Sequence, residues 1–399
     1  MPRDSYRYCE DEMADTLTAA GRAAVHALAE KAVADGAFPG LVALVAHGDA
    51  EHVEVAGHVS IGGAPMARDS LFRIASMTKP VTGAATMALI EEGLIGLNEP
   101  VDRLLPELAD RRVLRKIDGP LDDTVPANRA ITTRDLLTFT FGFGVAMEMF
   151  MAPDSLPIVV ASDDVHLSTI GPPDRAIQPD QDTWITGLGS LPLIAQPGER
   201  WMYNTGASVL GILLSRAAGM SFGDVMRTRI FEPLGMTQTA FSATDAGRLA
   251  TAYRPSEAGL ETWDASDGLY SRPPVFEDGA AGLVSTADDM LAFARMFLRG
   301  GSPVLSAESV RAMTTDQLTP EQKAYGGLGP DFFASQSWSY CQAVAASGAF
   351  GWNGGFGTSW LVDPARDLVV ILLTQRMLAG PDDTALHDAI QAAAYSALG

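Results

Sequence analysis

Strand signals at both ends of the chain constrain the fold more than any other feature. Near the N-terminus, two β-rich runs at about 41–47 and 51–58 flank Gly48-Asp49, which predicts a hairpin. Near the C-terminus, the runs TSWLVDP and DLVVILLTQ flank Ala365-Arg366 in the same way. Since the two pairs resemble each other so closely, we expect both ends of the chain to share one antiparallel sheet.

The remaining patterns are mostly helical. Helical signals at 13–35 and at about 382–398 accompany the two hairpins, and we expect these helices to pack on the faces of the sheet. From Thr78 to about residue 250, helical periods alternate with loops rich in Pro and Gly. The predicted fold class is α+β, with an antiparallel sheet flanked by helices and an inserted, mainly helical domain.

This organisation predicts a sandwich domain built from residues 1–75 and 276–399 and a mainly helical domain at 76–275. Within the helical domain, residues 151–200 are rich in Pro, Asp and Gly and show little periodicity. Long segments without secondary structure of their own often form lids over active sites. We therefore expect a long, lid-like loop at about 151–200.

Charge and cysteine content exclude several classes of protein. Lys and Arg number 28 and Asp and Glu number 49, so the formal net charge is −21. A surface this acidic repels phosphate backbones and anionic lipids, so we expect neither nucleic acid nor a membrane as a partner. The two cysteines, Cys9 and Cys341, are too few for a disulfide framework, and the six histidines lack metal-ligand spacing. We expect no metal and no cofactor.

The hydropathy pattern predicts a location. The first residues, MPRDSYRYCEDEMAD, are polar and lack the apolar stretch of a signal peptide. No run reaches the roughly 18 uninterrupted apolar residues typical of a transmembrane helix. We expect a cytoplasmic enzyme.

A candidate nucleophile stands in the motif Ser76-Met77-Thr78-Lys79. The residues at 78–95 have helical periodicity, so Ser76 is expected at a helix N-terminus, where free N–H groups favour developing negative charge. Lys79 lies one turn further on and shares a face with Ser76. A serine hydroxyl attacks only when a base takes its proton, and a buried lysine is one possible base. Ser-x-x-Lys is common, and the motif alone favours a capped helix that carries a surface lysine, so its context must decide.

Two later segments supply the context. PGERWMYNTGASVLGILLSRAAG places Tyr203 before a strongly periodic helix, and GAFGWNGGFGTSWLVDP is a Gly-rich run that enters the C-terminal hairpin. Together with Ser-x-x-Lys, they resemble the serine β-lactamase and penicillin-binding-protein superfamily, above all its class C branch and the related esterases of the family VIII carboxylesterase type. Segments 134–144 and 279–290 also look like family segments, although Phe139 and Phe141 stand where the family has His and Ser. The resemblance covers nearly the whole chain and implies a class C β-lactamase-like fold.

The resemblance also implies a role for each matching residue. Ser76 is the expected acylated nucleophile, Lys79 shares its proton, and Tyr203 acts as general base and then as acid to the leaving group. The backbone N–H groups of Ser76 and Gly355 are expected to form the oxyanion hole. Four residues are expected to contact the substrate: Trp352, Asn353, Gly354 and Thr205.

Two positions depart from the lactamase pattern. Thr205 stands where the lactamases have the Asn of Tyr-x-Asn, and Trp352 stands where they have the Lys of Lys-Thr-Gly. The missing lysine is a cation that would engage the carboxylate of a β-lactam, whereas a tryptophan offers a large apolar face. The Trp-x-Gly form resembles the esterases of the superfamily. Both observations favour neutral, fairly apolar esters, although Trp352 is also compatible with a purely structural place in the sheet.

A second serine motif needs separate interpretation. Gly219-Met220-Ser221-Phe222-Gly223 matches Gly-x-Ser-x-Gly, the nucleophile motif of α/β-hydrolases. That motif requires a strand before the serine, whereas here a helix at about 206–218 precedes it. We therefore expect Gly219 to end one helix and Ser221 to cap the next.

The predicted function is a serine carboxylesterase that cleaves short-chain, small-molecule esters through an acyl-enzyme on Ser76. An acyltransferase, or a β-lactamase or D-amino-acid peptidase, is an alternative with the same Ser-Lys-Tyr site. A second alternative is a non-catalytic member that binds a ligand or assembles into larger structures. The presence of Ser76, Lys79 and Tyr203 together favours an enzyme. The natural ester and the oligomeric state remain open at this point.

Overall fold

The computed structural model describes residues 17–167, 173–329, 331–380 and 382–398. Cys9 and the first part of the helix expected at 13–35 lie outside the described residues.

The described residues form thirteen strands and thirteen α-helices. The strands are β1 (Gly40–His47), β2 (Ala50–Gly57), β3 (Phe72–Arg73), β4 (Arg112–Leu114), β5 (Thr124–Pro126), β6 (Ala252–Ser256), β7 (Gly259–Asp264), β8 (Val284–Ser285), β9 (Gln336–Trp338), β10 (Ala343–Ala345), β11 (Phe350–Gly354), β12 (Thr358–Asp363) and β13 (Leu368–Thr374). The helices are α1 (Ala19–Ala34), α2 (Thr78–Glu91), α3 (Thr133–Leu137), α4 (Glu148–Met151), α5 (Pro157–Asp164), α6 (Gln181–Ser190), α7 (Thr205–Ala218), α8 (Phe222–Met226), α9 (Glu232–Leu234), α10 (Ala287–Leu298), α11 (Ala307–Met313), α12 (Pro320–Lys323) and α13 (Ala385–Ser396).

Seven strands form one antiparallel sheet in the order β2-β1-β13-β12-β11-β10-β9. The N-terminal hairpin, β1-β2, and the C-terminal hairpin, β12-β13, meet through β1 and β13, where Leu44 lies opposite Ile371. Both predicted hairpins and their shared sheet are confirmed, and so is the α+β fold class. Strands β1 and β13 are buried along almost their whole length because helices cover both faces of the sheet.

Alternate residues of β1 contribute to two separate cores. Ala43 belongs to the core under α1 and α13, whereas Leu44 belongs to the larger core that includes α2, α7 and α10. The approach of α1 to α13 depends on Gly21, because a Cβ atom there would lie 2.1 Å from the Cβ of Ala397. The backbone N–H of Thr18, which caps α1, donates to the carbonyl of Ala397 over 2.8 Å. The two terminal helices are therefore tied together on the face remote from α2.

Helix α7 is buried along most of its length. All residues from Thr205 to Ser215 are buried, and α2, α3, α6 and α8 pack around them. A helix that is apolar on all sides requires such enclosure. This arrangement accords with a mainly helical unit, whose boundaries at 76–275 stay a prediction.

Segment 151–200 contains two helices where the sequence predicts a continuous loop. Helix α5 has Pro157 at its first position, where a missing N–H costs nothing. Helix α6 is capped by Asp180, whose carboxylate accepts from two backbone N–H groups at 3.0 Å. Trp184 of α6 stacks on Phe276 with ring centroids 5.3 Å apart, so this part of the segment is firmly packed. Its lid-like role stays a prediction.

The connection between α7 and α8 confirms the capping interpretation of the second serine motif. Gly219 adopts a φ of 66° at the C-cap of α7, and the Ser221 hydroxyl accepts from the N–H of Asp224 over 3.1 Å.

Among the described residues, no single helix has the length and apolar character needed to cross a membrane. One pair of successive helical segments meets the criteria when taken together: Thr205–Ala218 and Phe222–Leu234. The chain bends by 82° between them.

Candidate active site

Ser76 lies half-buried in a short 3-10 turn, Ala75–Met77, which leads directly into α2. Lys79 is buried, with 0% exposure, in the first turn of that helix. Its Nζ donates to Ser76 Oγ over 2.9 Å and to the carbonyl oxygen of Ala280 over 2.8 Å. The structure therefore brings the two motif residues into direct contact, and Lys79 is no surface lysine.

The carbonyl of Ala280 belongs to a segment that is bound tightly to α2. The hydroxyl of Thr82 donates to the Gly279 carbonyl over 2.7 Å, and the hydroxyl of Thr78 accepts from the N–H of Leu283 over 3.1 Å. These contacts hold the acceptor for Lys79 in place. The sequence resemblance singled out 279–290 as a segment but did not identify this backbone acceptor.

Tyr203 lies on the other side of Lys79. The Lys79 Nζ is 4.6 Å from the centroid of the Tyr203 ring, so the third direction of the ammonium group meets an aromatic face. The indole Nε1 of Trp352 donates to the Tyr203 hydroxyl over 2.7 Å. Ser76, Lys79, Tyr203 and Trp352 thus form one connected group, although they come from three distant parts of the chain.

The backbone is strained beside both Ser76 and Tyr203. Ala75 has a φ of 45°, a region that residues with a Cβ rarely adopt. Asn204 has a φ of 84° and a ψ of −67°, and the N–H of Thr205 donates to the Tyr203 carbonyl over 3.2 Å. These values describe a γ-turn of the rare, strained type. Such strain is typical of functional sites whose surroundings fix the conformation.

The surroundings of Thr205 do not favour the contact with substrate that the sequence predicts. It is the first residue of α7 and only 3% exposed. Its burial favours a structural role in the γ-turn over contact with a substrate. Asn353 lies between Trp352 and Gly354 on β11, and the alternation of a strand directs its side chain to the face opposite Trp352.

An aromatic cluster packs around Tyr203 and Trp352. Phe139, which stands at the family's His position, is buried with its ring centroid 6.1 Å from that of Tyr203. Trp338 lies edge-on to Trp352 at 4.7 Å. The places of Phe139 and of Trp201, which lies 5.8 Å from Tyr203, follow from the segments that carry the resemblance, whereas no sequence signal marked Trp338.

The Gly-rich run forms the turn between β11 and β12, beside the segment that carries Ser76. A Cβ at Gly354 would lie 2.4 Å from the carbonyl oxygen of Ile74, so only glycine permits this approach. The Thr358 hydroxyl donates to the same carbonyl over 3.1 Å. Gly355 is exposed, and its N–H donates to no acceptor within the described residues. The turn therefore presents a free backbone donor next to the Ser76 segment.

The electrostatics of the site are dominated by Lys79. Arg376, which lies just past β13, is paired with Asp383 at 2.7 Å and is thereby neutralised. Burial raises the pKa of the Cys341 thiol, which lies near Lys79, so this cysteine stays protonated. Within the described ranges, no cluster of His, Cys, Asp and Glu side chains could hold a metal ion.

The chain is similar in sequence to known proteins. The beta-lactamase family profile matches residues 25–395. Protein Rv1367c of Mycobacterium tuberculosis (strain ATCC 25618 / H37Rv) is 40% identical over 336 residues, which cover 78% of this chain and 79% of that protein. Esterase EstB of Burkholderia gladioli is 30% identical over 409 residues, which cover 96% of this chain and 98% of the esterase.

The fold also matches solved structures. The structure of EstCE1, described as a hydrolase with promiscuous acyltransferase activity, superposes with a TM-score of 0.77 at 23% identity. The superposition covers 94% of this chain and 98% of EstCE1. At this identity, the likeness shows the fold alone.

Proposed function

Since the chain belongs to the beta-lactamase family, we propose that it is a serine carboxylesterase that acts through an acyl-enzyme on Ser76. The observation that carries this proposal is the direct contact between Ser76 Oγ and the buried Lys79 Nζ at 2.9 Å. The name of Esterase EstB, which this chain matches over almost its full length, supports an ester as substrate.

The contacts suggest a division of labour in the acylation step. The Lys79 ammonium donates one hydrogen bond to Ser76 Oγ and another to the Ala280 carbonyl oxygen. Two of its N–H groups are therefore already engaged near the serine. A group that is already donating cannot also accept the serine proton. We therefore assign proton removal to Tyr203, whose ring lies over Lys79.

In this step Tyr203 acts as a phenolate: Ser76 Oγ bonds to the ester carbonyl carbon, its proton passes to the Tyr203 oxygen, and the negative charge moves to the carbonyl oxygen. The negative charge on the carbonyl oxygen is stabilised by the backbone N–H groups of Ser76 and Gly355. Tyr203 then returns the proton to the departing alcohol, which leaves an acyl-serine. Water, activated in the same way, releases the carboxylic acid and regenerates the serine.

Trp352 supports Tyr203 in this role by donating a hydrogen bond from a neutral group. Its Nε1–H points at the Tyr203 oxygen, which carries negative charge when the tyrosine is the phenolate that serves as base, and loses it on taking the serine proton. A hydrogen bond to a charged oxygen is roughly twice as strong as one between neutral groups. Trp352 thus gives Tyr203 a neutral hydrogen-bond donor, but it supplies no positive charge for a substrate carboxylate.

The substrate class follows from the charges. A desolvated carboxylate without a counter-charge costs several kcal/mol. Lys79 is engaged with Ser76 and Tyr203, and Arg376 is engaged with Asp383. The net charge of −21 also disfavours anions at long range. Neutral esters with a small acyl group carry no such penalty and can pack against the half-buried indole of Trp352.

Covalent labelling tests the nucleophile. A fluorophosphonate probe should label the wild-type protein at Ser76, as identified by peptide mapping, and should not label Ser76→Ala. Ser221→Ala is the matched control, because it removes a serine hydroxyl that caps α8, and its labelling and ester hydrolysis should equal those of the wild type. Retention of hydrolysis in Ser76→Ala would disprove the assignment.

A comparison of substrates on one preparation tests the substrate class. We expect ready hydrolysis of p-nitrophenyl butyrate and slow or undetectable turnover of a penicillin, because the penicillin carries a carboxylate. A penicillin kcat/KM equal to or above that for the butyrate ester would contradict the esterase assignment.

Transfer to an alcohol is a second candidate function. EstCE1 is described as having promiscuous acyltransferase activity, and an acyl-serine can react with an alcohol in place of water. Adding an alcohol acceptor to the p-nitrophenyl butyrate assay and quantifying ester against free acid separates the two outcomes.

The expected cytoplasmic location stays a prediction that cell fractionation tests.

A further inference from the structure

A buried histidine on the C-terminal helix contacts the turn that carries Gly355. His387 lies in the first turn of α13 and is 3% exposed. Its Nε2 is 2.9 Å from the carbonyl oxygen of Gly357. A carbonyl only accepts, so Nε2 must carry the hydrogen. Nδ1 has no hydrogen-bond partner among the described residues, which is compatible with a neutral ring.

This contact is one of four that hold consecutive carbonyls of the turn. The Gly354 carbonyl accepts from the N–H of Gly357 at 2.9 Å, and the Gly355 carbonyl accepts from the N–H of Leu378 at 2.9 Å. The Phe356 carbonyl accepts from the Thr374 hydroxyl at 3.0 Å. Together with the His387 bond, each carbonyl from 354 to 357 has a donor.

Each peptide unit is rigid and planar, so the N–H of Gly355 points opposite to the Gly354 carbonyl, and its direction depends on the hydrogen bonds that hold this turn. With the carbonyls of this turn held, the N–H of Gly355 keeps one direction and has no acceptor within the described part of the chain. Gly357 contributes a φ of 77° and packs against β13, since a Cβ there would lie 2.3 Å from the Thr374 hydroxyl.

We propose that His387 is a positioning residue, which orients the Gly355 N–H toward the reacting carbonyl through its bond to Gly357. The inference rests on the proposed esterase function, in which Gly355 supplies one oxyanion donor. It makes α13, on the face of the sheet remote from α2, a determinant of the rate of acylation. Thr374, which holds the preceding carbonyl, acts in the same way.

Loss of the His387 donor should lower kcat more than it raises KM. A missing oxyanion donor costs about 10²–10³ in kcat, and a misdirected one should cost part of that. For His387→Leu we expect a fall in kcat of roughly tenfold or more on p-nitrophenyl butyrate, with KM within about twofold of the wild type. His387→Gln, whose amide can reach the Gly357 carbonyl as a donor, should restore most of the rate.

A control variant separates this effect from lost stability. Ile390 lies on the same helix, is fully buried and does not contact the turn through a hydrogen bond. Ile390→Ala should lower the Tm, as His387→Leu does, but should leave kcat unchanged when both are assayed well below their Tm. A folded His387→Leu protein with the kcat of Ile390→Ala would overturn the inference.

A second pair of variants applies if His387→Leu fails to fold. Thr374→Val removes the donor to the Phe356 carbonyl at nearly constant shape, whereas Thr374→Ser retains it. The inference requires a lower kcat in the valine variant than in the serine variant, and equal values would refute it. If the wild type neither hydrolyses the ester nor labels at Ser76, the proposed function itself fails, which is a distinct outcome.

Discussion

Replacing Trp352 by phenylalanine isolates the hydrogen bond from Nε1 to the Tyr203 hydroxyl. The substitution retains an aromatic ring against Trp338, whose centroid is 4.7 Å away, but removes the donor that lies 2.7 Å from the tyrosine oxygen. It therefore perturbs the electrostatics at Tyr203 more than the packing around it. The size of the effect depends on whether this oxygen is charged during catalysis.

The two possibilities differ in magnitude. A hydrogen bond between neutral groups contributes about 1 kcal/mol, whereas one to a charged group contributes about 1.5–3 kcal/mol. Because about 1.4 kcal/mol corresponds to a factor of ten, a neutral tyrosine predicts a loss in kcat/KM of about fivefold. A phenolate that serves as the base predicts a loss between about tenfold and 150-fold. Since Tyr203 is assigned as the base, we expect the larger range for Trp352→Phe.

The assay is kcat/KM for p-nitrophenyl butyrate in the wild type, Trp352→Phe, Tyr203→Phe and the double variant. In the Tyr203→Phe background the indole has no hydroxyl to support, so adding Trp352→Phe should change kcat/KM by less than about twofold. Trp360→Phe is the matched control, because Trp360 lies directly opposite Trp352 on β12 and its Nε1 has no partner among the described residues. A Trp352→Phe enzyme within twofold of the wild type, or a double variant whose losses multiply, would refute the reasoning.

Three further predictions concern stability. Ser221→Ala should lower the free energy of unfolding by about 1 kcal/mol through the lost cap, measured by urea unfolding, with unchanged kcat. Asn204→Gly should raise the free energy of unfolding by up to about 1 kcal/mol by relieving the γ-turn, while kcat falls because Tyr203 is held less firmly. Burial lowers the pKa of His387 below 6.5, against the smaller opposing effects of the Gly357 carbonyl, Asp388 and Asp383. The unfolded chain therefore binds this proton more readily, so stability should fall as the pH drops through 6.5, and urea unfolding of His387→Gln should show a shallower fall.

The features that could be predicted from the sequence are local. The two hairpins follow from short apolar runs around turn residues, and the caps at Gly219 and Ser221 follow from their order along the chain. The contact between Ser76 and Lys79 also follows from helical spacing, once burial is assumed. In each case the partners lie within a few residues, so the backbone geometry of one element determines the contact.

The features that could not be predicted depend on distant parts of the chain or on strain. The bond between Trp352 and Tyr203 joins residues 149 positions apart, and no local pattern specifies it. The γ-turn at Asn204 opposes the intrinsic preference of the residue, so only the surrounding packing explains it. Helices α5 and α6 were missed because they are short and lie among prolines and aspartates, which here serve as first-turn and capping residues.

The surroundings of Lys79 explain how one cation can serve several steps. Its three contacts are a hydroxyl, a carbonyl and an aromatic face, all of them neutral, and within the described residues it forms no ion pair. A carboxylate partner would stabilise the ammonium equally in every state of the reaction and would weaken its effect on new charge. With neutral partners, the ammonium interacts most strongly with the negative charge of the reacting groups, which moves from the Tyr203 phenolate to the carbonyl oxygen. A neutral ester is the substrate that gains most from this arrangement, because its charge arises only as the serine attacks.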